Sequence, residues 1–359
     1  MSPVAVADVA VVGCGVIGLA TAERLVARGL TVVVIDPAGV AGGASGASGG
    51  LVRAYDPGFP DLAAEGLEIY LRRGWHGRWP AIRQSGSLVL FDAGAIHQAM
   101  TATGRHADLL SANEIHKKFD GLTVPPNFVG LYESRAGWLP AREVARALLA
   151  DAQPGLSLLD SARATAVVTT GGRVSGVQTT AGLVQAAAVL LAAGVGSTEL
   201  ARTVGVDLPL RTRSVSYCMF RPRRPGRVPT MVDTTTGAWL RPWNTPGAVL
   251  AGVTSESCDV PPSVSDEVPL TEQHRVRDVL RHRYPELVNA EVIGGVTAFD
   301  AMAPAKGAVT VWNEPAGLVT ATGWNGGGFK LAPAVGSLAA EQIHGLIGAG
   351  LTAAGFGGE

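Results

Sequence analysis

Lysine is scarce in this chain. Only Lys117, Lys118, Lys306 and Lys330 occur among 29 basic residues, so a lysine placed inside a motif stands out. Cysteine is scarcer still. Cys14, Cys218 and Cys258 are odd in number, far apart and without metal-ligand spacing, which argues against a disulfide framework or a zinc site and fits a reducing, cytoplasmic setting. Net charge is almost absent: a balance of -1 at neutral pH offers no electrostatic footprint for nucleic acid or an acidic membrane surface. No membrane-length apolar run stands out. The N-terminal stretch VAVADVAVVGCGVIGLA has no basic leader and is broken by three glycines, so neither a signal peptide nor a membrane span is expected. None of the seven histidines sits in a paired or motif context, and none is assigned acid-base work.

What remains is a globular composition, 47% apolar and 16% charged over 359 residues, enough for one large discontinuous domain or two intertwined ones. The preference for arginine over lysine, with abundant Ala, Gly and Val, has the look of a GC-rich bacterial genome. The proline and arginine cluster RPRRPGRVP at 221–229 reads as a solvated loop.

The stretch ADVAVVGCGVIGLATAERLVARGLTVVVIDPA alternates an apolar run, a glycine turn, a helix with Leu19, Ala22, Leu25 and Val26 on one face, and a second apolar run ending at Asp36. Gly29 stops the helix. Gly13, Gly15 and Gly18 form G-x-G-x-x-G at the strand-to-helix turn, with Val16 and Ile17 between the last two. The first glycine permits the tight turn, the second lets a pyrophosphate approach the backbone, and the third lets the helix pack on the strand. Asp36 is placed to take ribose hydroxyls and would repel a 2'-phosphate, which disfavours NADP. Cys14, inside the turn, reads as a small buried filler.

This loop alone does not separate NAD from FAD. The next tract, GGASGASGGLVR from Gly42 to Arg53, stands where a nicotinamide enzyme would continue alternating strands and helices. Its small residues suit an extended segment lying along a long cofactor, with Ser45 and Ser48 as hydroxyl donors and the Gly49–Gly50 backbone able to touch a flat ring. Farther on, PAREVARALLADA reads as a helix, and SARATAVVTTGGRVSGVQTTAGLVQAAAVLLAAG as three strands, the last apolar enough to be central. GAWLRPWNTPGAVLAGV and AVTVWNEPAGLVTATG read as hairpins, and the final AAGFGGE as frayed. A second glycine run, GWNGGGFK from Gly323 to Lys330, closes the second hairpin.

With these residues in view, the chain resembles flavoproteins of the D-amino-acid oxidase, glycine oxidase and monomeric sarcosine oxidase family. The resemblance runs nearly end to end. It rests on the first glycine loop with Asp36, GASGASGG, ESRAGWLPAREVARAL, VLLAAGVGS, AWLRPWNTPGAVLAG and, most specifically, GLVTATGWNGGGFKLAPAVGSLAAEQI. It implies an α/β protein with a discontinuous Rossmann-like FAD-binding domain, residues 1–82, 141–210 and 296–359. A second, mostly antiparallel α+β domain, 83–140 and 211–295, would bind substrate.

By the same resemblance the first loop holds the adenosine end of FAD. The backbone around Gly323, Asn325, Gly326, Gly327, Gly328 and Phe329 faces its ring, Ala193 and Gly194 pass near the ADP portion, and Ala164, beside Arg163, packs on adenine. Lys330 and Arg53 match the pair that clamps the substrate carboxylate, while Trp239, Arg241 and Trp243 lie on the hairpin that covers the substrate. Several positions depart from the sarcosine oxidase pattern. Ala298 stands where that group attaches flavin through cysteine, and no histidine lies between Asp36 and Arg53, so noncovalent FAD is expected. Leu250 replaces the lysine that helps oxygen react, and Asn325 and Gly327 replace a serine and a histidine near the ring.

The implied reaction is oxidation of the C–N bond of an amino acid or N-alkyl amino acid to an imine. The partners are a small amine substrate and O2 or another electron acceptor. A dehydrogenase with another acceptor, a tailoring enzyme for a larger amine, and a cofactor-binding scaffold without turnover are the alternatives; an NAD-dependent reductase leaves the second glycine run unexplained.

Overall fold

The computed structural model describes residues 2–101, 107–348 and 350; the final AAGFGGE lies outside the described residues. The chain divides into two compact units. One comprises Met1–Gly46, Ala141–Thr212 and Asp300–Glu359, the other Ala47–Pro140 and Arg213–Phe299.

The first unit is built on a sheet whose strands run in the order Ala308–Val311, Leu318–Thr322, Gly182–Leu191, Ala5–Val12, Val32–Asp36 and Leu156–Asp160. From Leu318–Thr322 to Leu156–Asp160 the strands are parallel. The edge strand Ala308–Val311 returns antiparallel as the expected hairpin. Strands Ala164–Thr170 and Arg173–Thr179 form an antiparallel meander leading into Gly182–Leu191. The last of these is central, as its unbroken apolar run predicts, and Ala186–Leu191 are buried throughout. Helix Val16–Val26 follows the first strand, and Gly29 ends its extension at φ +84°. Helix Gly328–Gly348, twelve of whose residues are buried, packs on that first helix at Gly336 and Ala20. The helices that follow the two glycine runs therefore meet within one unit.

The second unit carries a sheet in the order Glu291–Met302, Arg211–Arg221, Val249–Val253, Ala238–Pro242, Thr230–Asp233, Ser87–Asp92, Phe128–Glu133 and Asp108–Ser111. It is mostly antiparallel, with Thr230–Asp233 parallel to Ser87–Asp92. One face is covered by helix Leu270–Leu280 through Val276 and Leu280, over a core of Leu88, Leu90, Phe220, Met231 and Leu240. At the edge of that core Arg283 Nε donates to Asp233 Oδ2 at 2.7 Å, with the pair almost fully buried.

Residues 47–82, expected with the first unit, group with the second. The two-residue strand Leu51–Val52 pairs with Gly137–Trp138, and the following helix, Pro60–Trp75, is tied by a bidentate contact from Arg135 to Glu68. A two-residue strand carries little sequence signal, so the unit boundary after Gly46 was hidden there. Among the described residues no helix is long and apolar enough to cross a membrane.

Candidate active site

The first glycine loop has the expected geometry. Gly13 stands at φ +112°, and a Cβ there would lie 2.5 Å from the Ala192 carbonyl oxygen, so the loop is pressed against the end of the central strand. A Cβ on Gly18 would collide with the Gly13 carbonyl, the close helix-to-turn packing that the third glycine permits. Gly15 precedes helix Val16–Val26 without a side-chain cap, and the first turn has no acidic residue. The positive end of that helix is thus uncompensated from within it, the condition that favours a bound phosphate. Ser45 lies over Gly15, and its Oγ accepts from Val16 N at 3.1 Å, leaving its own hydroxyl hydrogen to donate. Val16 and Ile17 are buried.

Asp36 closes the loop from the far side. Its Oδ2 accepts from Cys14 N and its Oδ1 from Ala38 N, both at 2.8 Å, and each oxygen retains acceptor capacity for a hydroxyl. Burial, and then the charge of Asp36, push the Cys14 thiol up to about 12, which makes it a filler rather than a nucleophile.

Ala193 and Gly194 continue the same edge. The Ala193 N–H donates to Ser197 Oγ at 3.1 Å, and the Gly194 carbonyl accepts from Thr322 Oγ1 at 3.2 Å, tying this turn to the strand that leads into the second glycine run. Ala164, partly buried, starts the meander strand and packs against the sheet core. Within the second run Gly323 packs on Ala303 and Leu210. Asn325 adopts φ +50° and pairs its amide with one residue: Oδ1 accepts from Ala303 N at 2.8 Å, and Nδ2 donates to Ala303 O at 3.2 Å. Its side chain is thereby committed to the backbone.

Gly326, Gly327, Gly328 and Phe329 form the entry to helix Gly328–Gly348, with Gly327 N donating to Trp324 O at 2.8 Å. Lys330 is 8% exposed and curls back toward the helix start, so that a Cβ on Gly327 would lie 3.3 Å from its Nζ.

In the second unit, the Gly49–Gly50 turn is fixed from three sides. Ser48 Oγ accepts from Gly50 N at 3.1 Å, Leu139 N donates to the Gly50 carbonyl, and a Cβ on Gly50, at φ +72°, would collide with Leu139 O. The third tie is Arg241, whose Nε donates to Gly49 O at 2.6 Å and whose Nη1 donates to Pro242 O at 2.8 Å. Its guanidinium lies 3.9 Å from the Trp138 ring centre and 4.7 Å from that of Trp243. Arg241 is 3% exposed, and burial pushes it down to about 9. On the hairpin that the resemblance places over the substrate, it is engaged by two backbone carbonyls and two rings. Trp239 packs its ring edge on Gly49 and its body on Gly252 and Tyr217.

Arg53 follows strand Leu51–Val52 directly. It is half-buried, yet its Nε is shielded and has no hydrogen-bond partner. Burial lowers its pKa, and Glu133, Asp56 and Tyr55 pull the other way. Glu133, Ser197, Thr322 and the Asn325–Ala303 pairing escape sequence reading, because each is a single polar residue whose partner is distant in the chain or on the backbone.

These features fit the long dinucleotide that the sequence implies. A loop that a Cβ would fill, an uncompensated helix start and an acid at the second strand's end provide for its pyrophosphate and ribose.

The comparisons agree. The chain is 32% identical over 228 residues to glycine oxidase of Pseudomonas putida, a match spanning 60% of this chain and 62% of that enzyme. It is 28% identical over 355 residues, 94% of each chain, to glycine oxidase of Pseudomonas aeruginosa. Its fold is similar to L-proline dehydrogenase from P. horikoshii, with a TM-score of 0.86 at 19% identity over 95% of this chain and 94% of that one. Residues 8–342 match the family model described as DAO, FAD dependent oxidoreductase, and the chain belongs to that family.

Proposed function

We propose that this chain oxidises the C–N bond of a small amino acid or N-alkyl amino acid, of the glycine, sarcosine or proline kind, to an imine. FAD would be held noncovalently, and O2 would be the final electron acceptor. The observation that carries this reading is Arg53, a half-buried guanidinium whose shielded Nε has no partner, a few residues beyond the fixed Gly49–Gly50 turn. A cation of this kind suits a carboxylate, which it can grip by charge and by fork geometry. On the sequence resemblance Lys330 is the second cation of the clamp. Its Nζ lies toward the positive end of its own helix, where an anion relieves the repulsion.

Binding the carboxylate fixes Cα, and orientation is most of what a hydride transfer asks of the protein. When bound, FAD supplies the two-electron acceptor for that hydride. The nitrogen lone pair closes the C=N bond as the hydride leaves, and water then hydrolyses the iminium to a carbonyl product and ammonia, or an amine where the nitrogen is alkylated. Trp239, packed on Gly49, would border the substrate. Ala298 supports noncovalent attachment because it offers no thiol. Three free thiols support a reducing, cytoplasmic location.

A second reading, a dehydrogenase that passes electrons to another acceptor, is favoured by Leu250. It stands fully buried in strand Val249–Val253, at the position that the sequence resemblance matches to a lysine of the sarcosine oxidase group.

The test is an absorbance spectrum before and after acid precipitation, followed by anaerobic addition of glycine, sarcosine, proline and pools of D- and L-amino acids. A yellow protein is expected that releases all its flavin and bleaches with one addition. Colour returning in air with peroxide supports the oxidase, and colour returning only with an added dye supports the dehydrogenase. A colourless protein that FAD does not reconstitute overturns the proposal.

A further inference from the structure

We infer that Glu133 is a positioning residue, whose buried carboxylate holds the backbone just after Arg53 and so fixes the place from which the guanidinium meets an anion. The inference rests on the reading that Arg53 takes the substrate carboxylate. Glu133 ends strand Phe128–Glu133, where it pairs with Ser87, and is 3% exposed. Its Oε2 accepts from Ala54 N at 2.7 Å and its Oε1 from Tyr55 N at 2.9 Å. Backbone pairing of this segment stops at Val52 with Gly137, so the carboxylate takes up the next donors where the ladder ends. A buried acid is costly unless its oxygens are filled, and these two N–H groups help to fill them.

The same arrangement solves a second problem. A half-buried Arg53 needs a nearby negative charge, but a carboxylate paired directly with the guanidinium would take up the fork that is to grip an anion. Glu133 supplies charge to Arg53, as does Asp56 more weakly, while its oxygens are engaged by the backbone of the next two residues; Arg53 Nε stays without a partner. Tyr55, buried against Phe91 at 5.8 Å between ring centres, anchors the far end of the segment. Arg53 is thus held between a paired strand on one side and a carboxylate and an aromatic anchor on the other.

Glu133→Gln keeps the shape but points an amide nitrogen at one of the two N–H donors, loosening the segment without opening a cavity. The experiment measures calorimetric binding of acetate and of its neutral isostere acetamide to FAD-loaded wild type, Glu133→Gln, Glu133→Asp, Arg53→Met and the Glu133→Gln/Arg53→Met double variant. Acetate is expected to bind about tenfold more weakly to Glu133→Gln, the scale of one disturbed charge-assisted hydrogen bond, with acetamide unchanged. In the Arg53→Met background the Glu133 substitution should add nothing further. Glu133→Asp, which keeps the charge, should recover part of the loss, and it serves alone if the Gln variant does not fold. Wild-type acetate affinity in Glu133→Gln together with lost affinity in Arg53→Met overturns this inference and leaves the clamp standing, as does an additive double variant. Wild-type affinity in Arg53→Met, or no acetate binding to the wild type, overturns the clamp and this inference with it.

Discussion

Gly336, in the last helix, lies directly on Ala20 in the first: a Cβ at 336 would sit 2.6 Å from the Ala20 carbonyl carbon. The contact joins the two sequence segments that carry the two glycine runs. In a free helix, replacing glycine by alanine gains about 1 kcal/mol of propensity. Here the added methyl meets backbone, and overpacking of this kind costs about 1–3 kcal/mol. Gly336→Ala is therefore expected to lower the thermal midpoint and the temperature at which flavin is released. A raised midpoint would show that the helices can shift apart freely.

Two glycines with left-handed backbones separate strain from space. A Cβ on Gly13, at φ +112°, would meet Ala192 O at 2.5 Å, whereas one on Gly39, at φ +69°, would meet nothing within 4 Å. Gly39→Ala should cost about 1–2 kcal/mol from backbone conformation alone and leave the flavin-to-protein ratio unchanged. Gly13→Ala should yield protein with little flavin. Equal flavin content in the two variants would remove the first loop from the cofactor site.

Cysteine reactivity gives a test with a defined pH window. Burial, the largest cause in both cases, pushes the Cys14 thiol from 9.0 up to about 12 and the Cys218 thiol up to about 11, while Cys258 is exposed. At pH 8 the native protein should be alkylated at Cys258 alone, and at all three positions only in denaturant. Because the folded values are raised, the unfolded chain loses these protons first. Stability is fully present below pH 9 and falls as pH rises toward 12. Peptide mapping that found Cys14 modified in the native protein would contradict its place in the closed turn.

The sequence was most legible where one residue type has one use. Gly13, Gly15 and Gly18 before an apolar helix, the unbroken run Ala186–Leu191 and the hairpin Ala238–Pro242 with Val249–Val253 all follow from periodicity and turn chemistry. Polar side chains that serve distant backbone were illegible. Asn325 looks like a ligand in a glycine run, and it is the partner of Ala303, 22 residues earlier. Glu133 looks like the acidic end of a strand, and it closes on Ala54 and Tyr55, almost eighty residues away. Neither distance leaves a periodic trace. Asp233 and Arg283, buried together, were silent for the same reason.

Arg241 decides between a charge that acts on a ligand and a fork that holds the backbone. Nε and Nη1 are committed to Gly49 O and Pro242 O, and the plane is stacked between Trp138 and Trp243. Lysine would keep the charge, but an ammonium cannot serve both carbonyls while lying flat between two rings. Methionine removes charge and donors together and leaves the Gly49 carbonyl without its donor, at a cost of about 1–3 kcal/mol. If Arg241 works by holding the Gly49 turn, Arg241→Lys and Arg241→Met should lose thermal stability and kcat/KM to a similar extent, with the flavin spectrum altered in both. If its charge acts on substrate, the lysine variant should retain kcat/KM where the methionine variant loses it. The first outcome is expected, because both donors end on main-chain oxygens and the residue is closed to solvent on nearly every side.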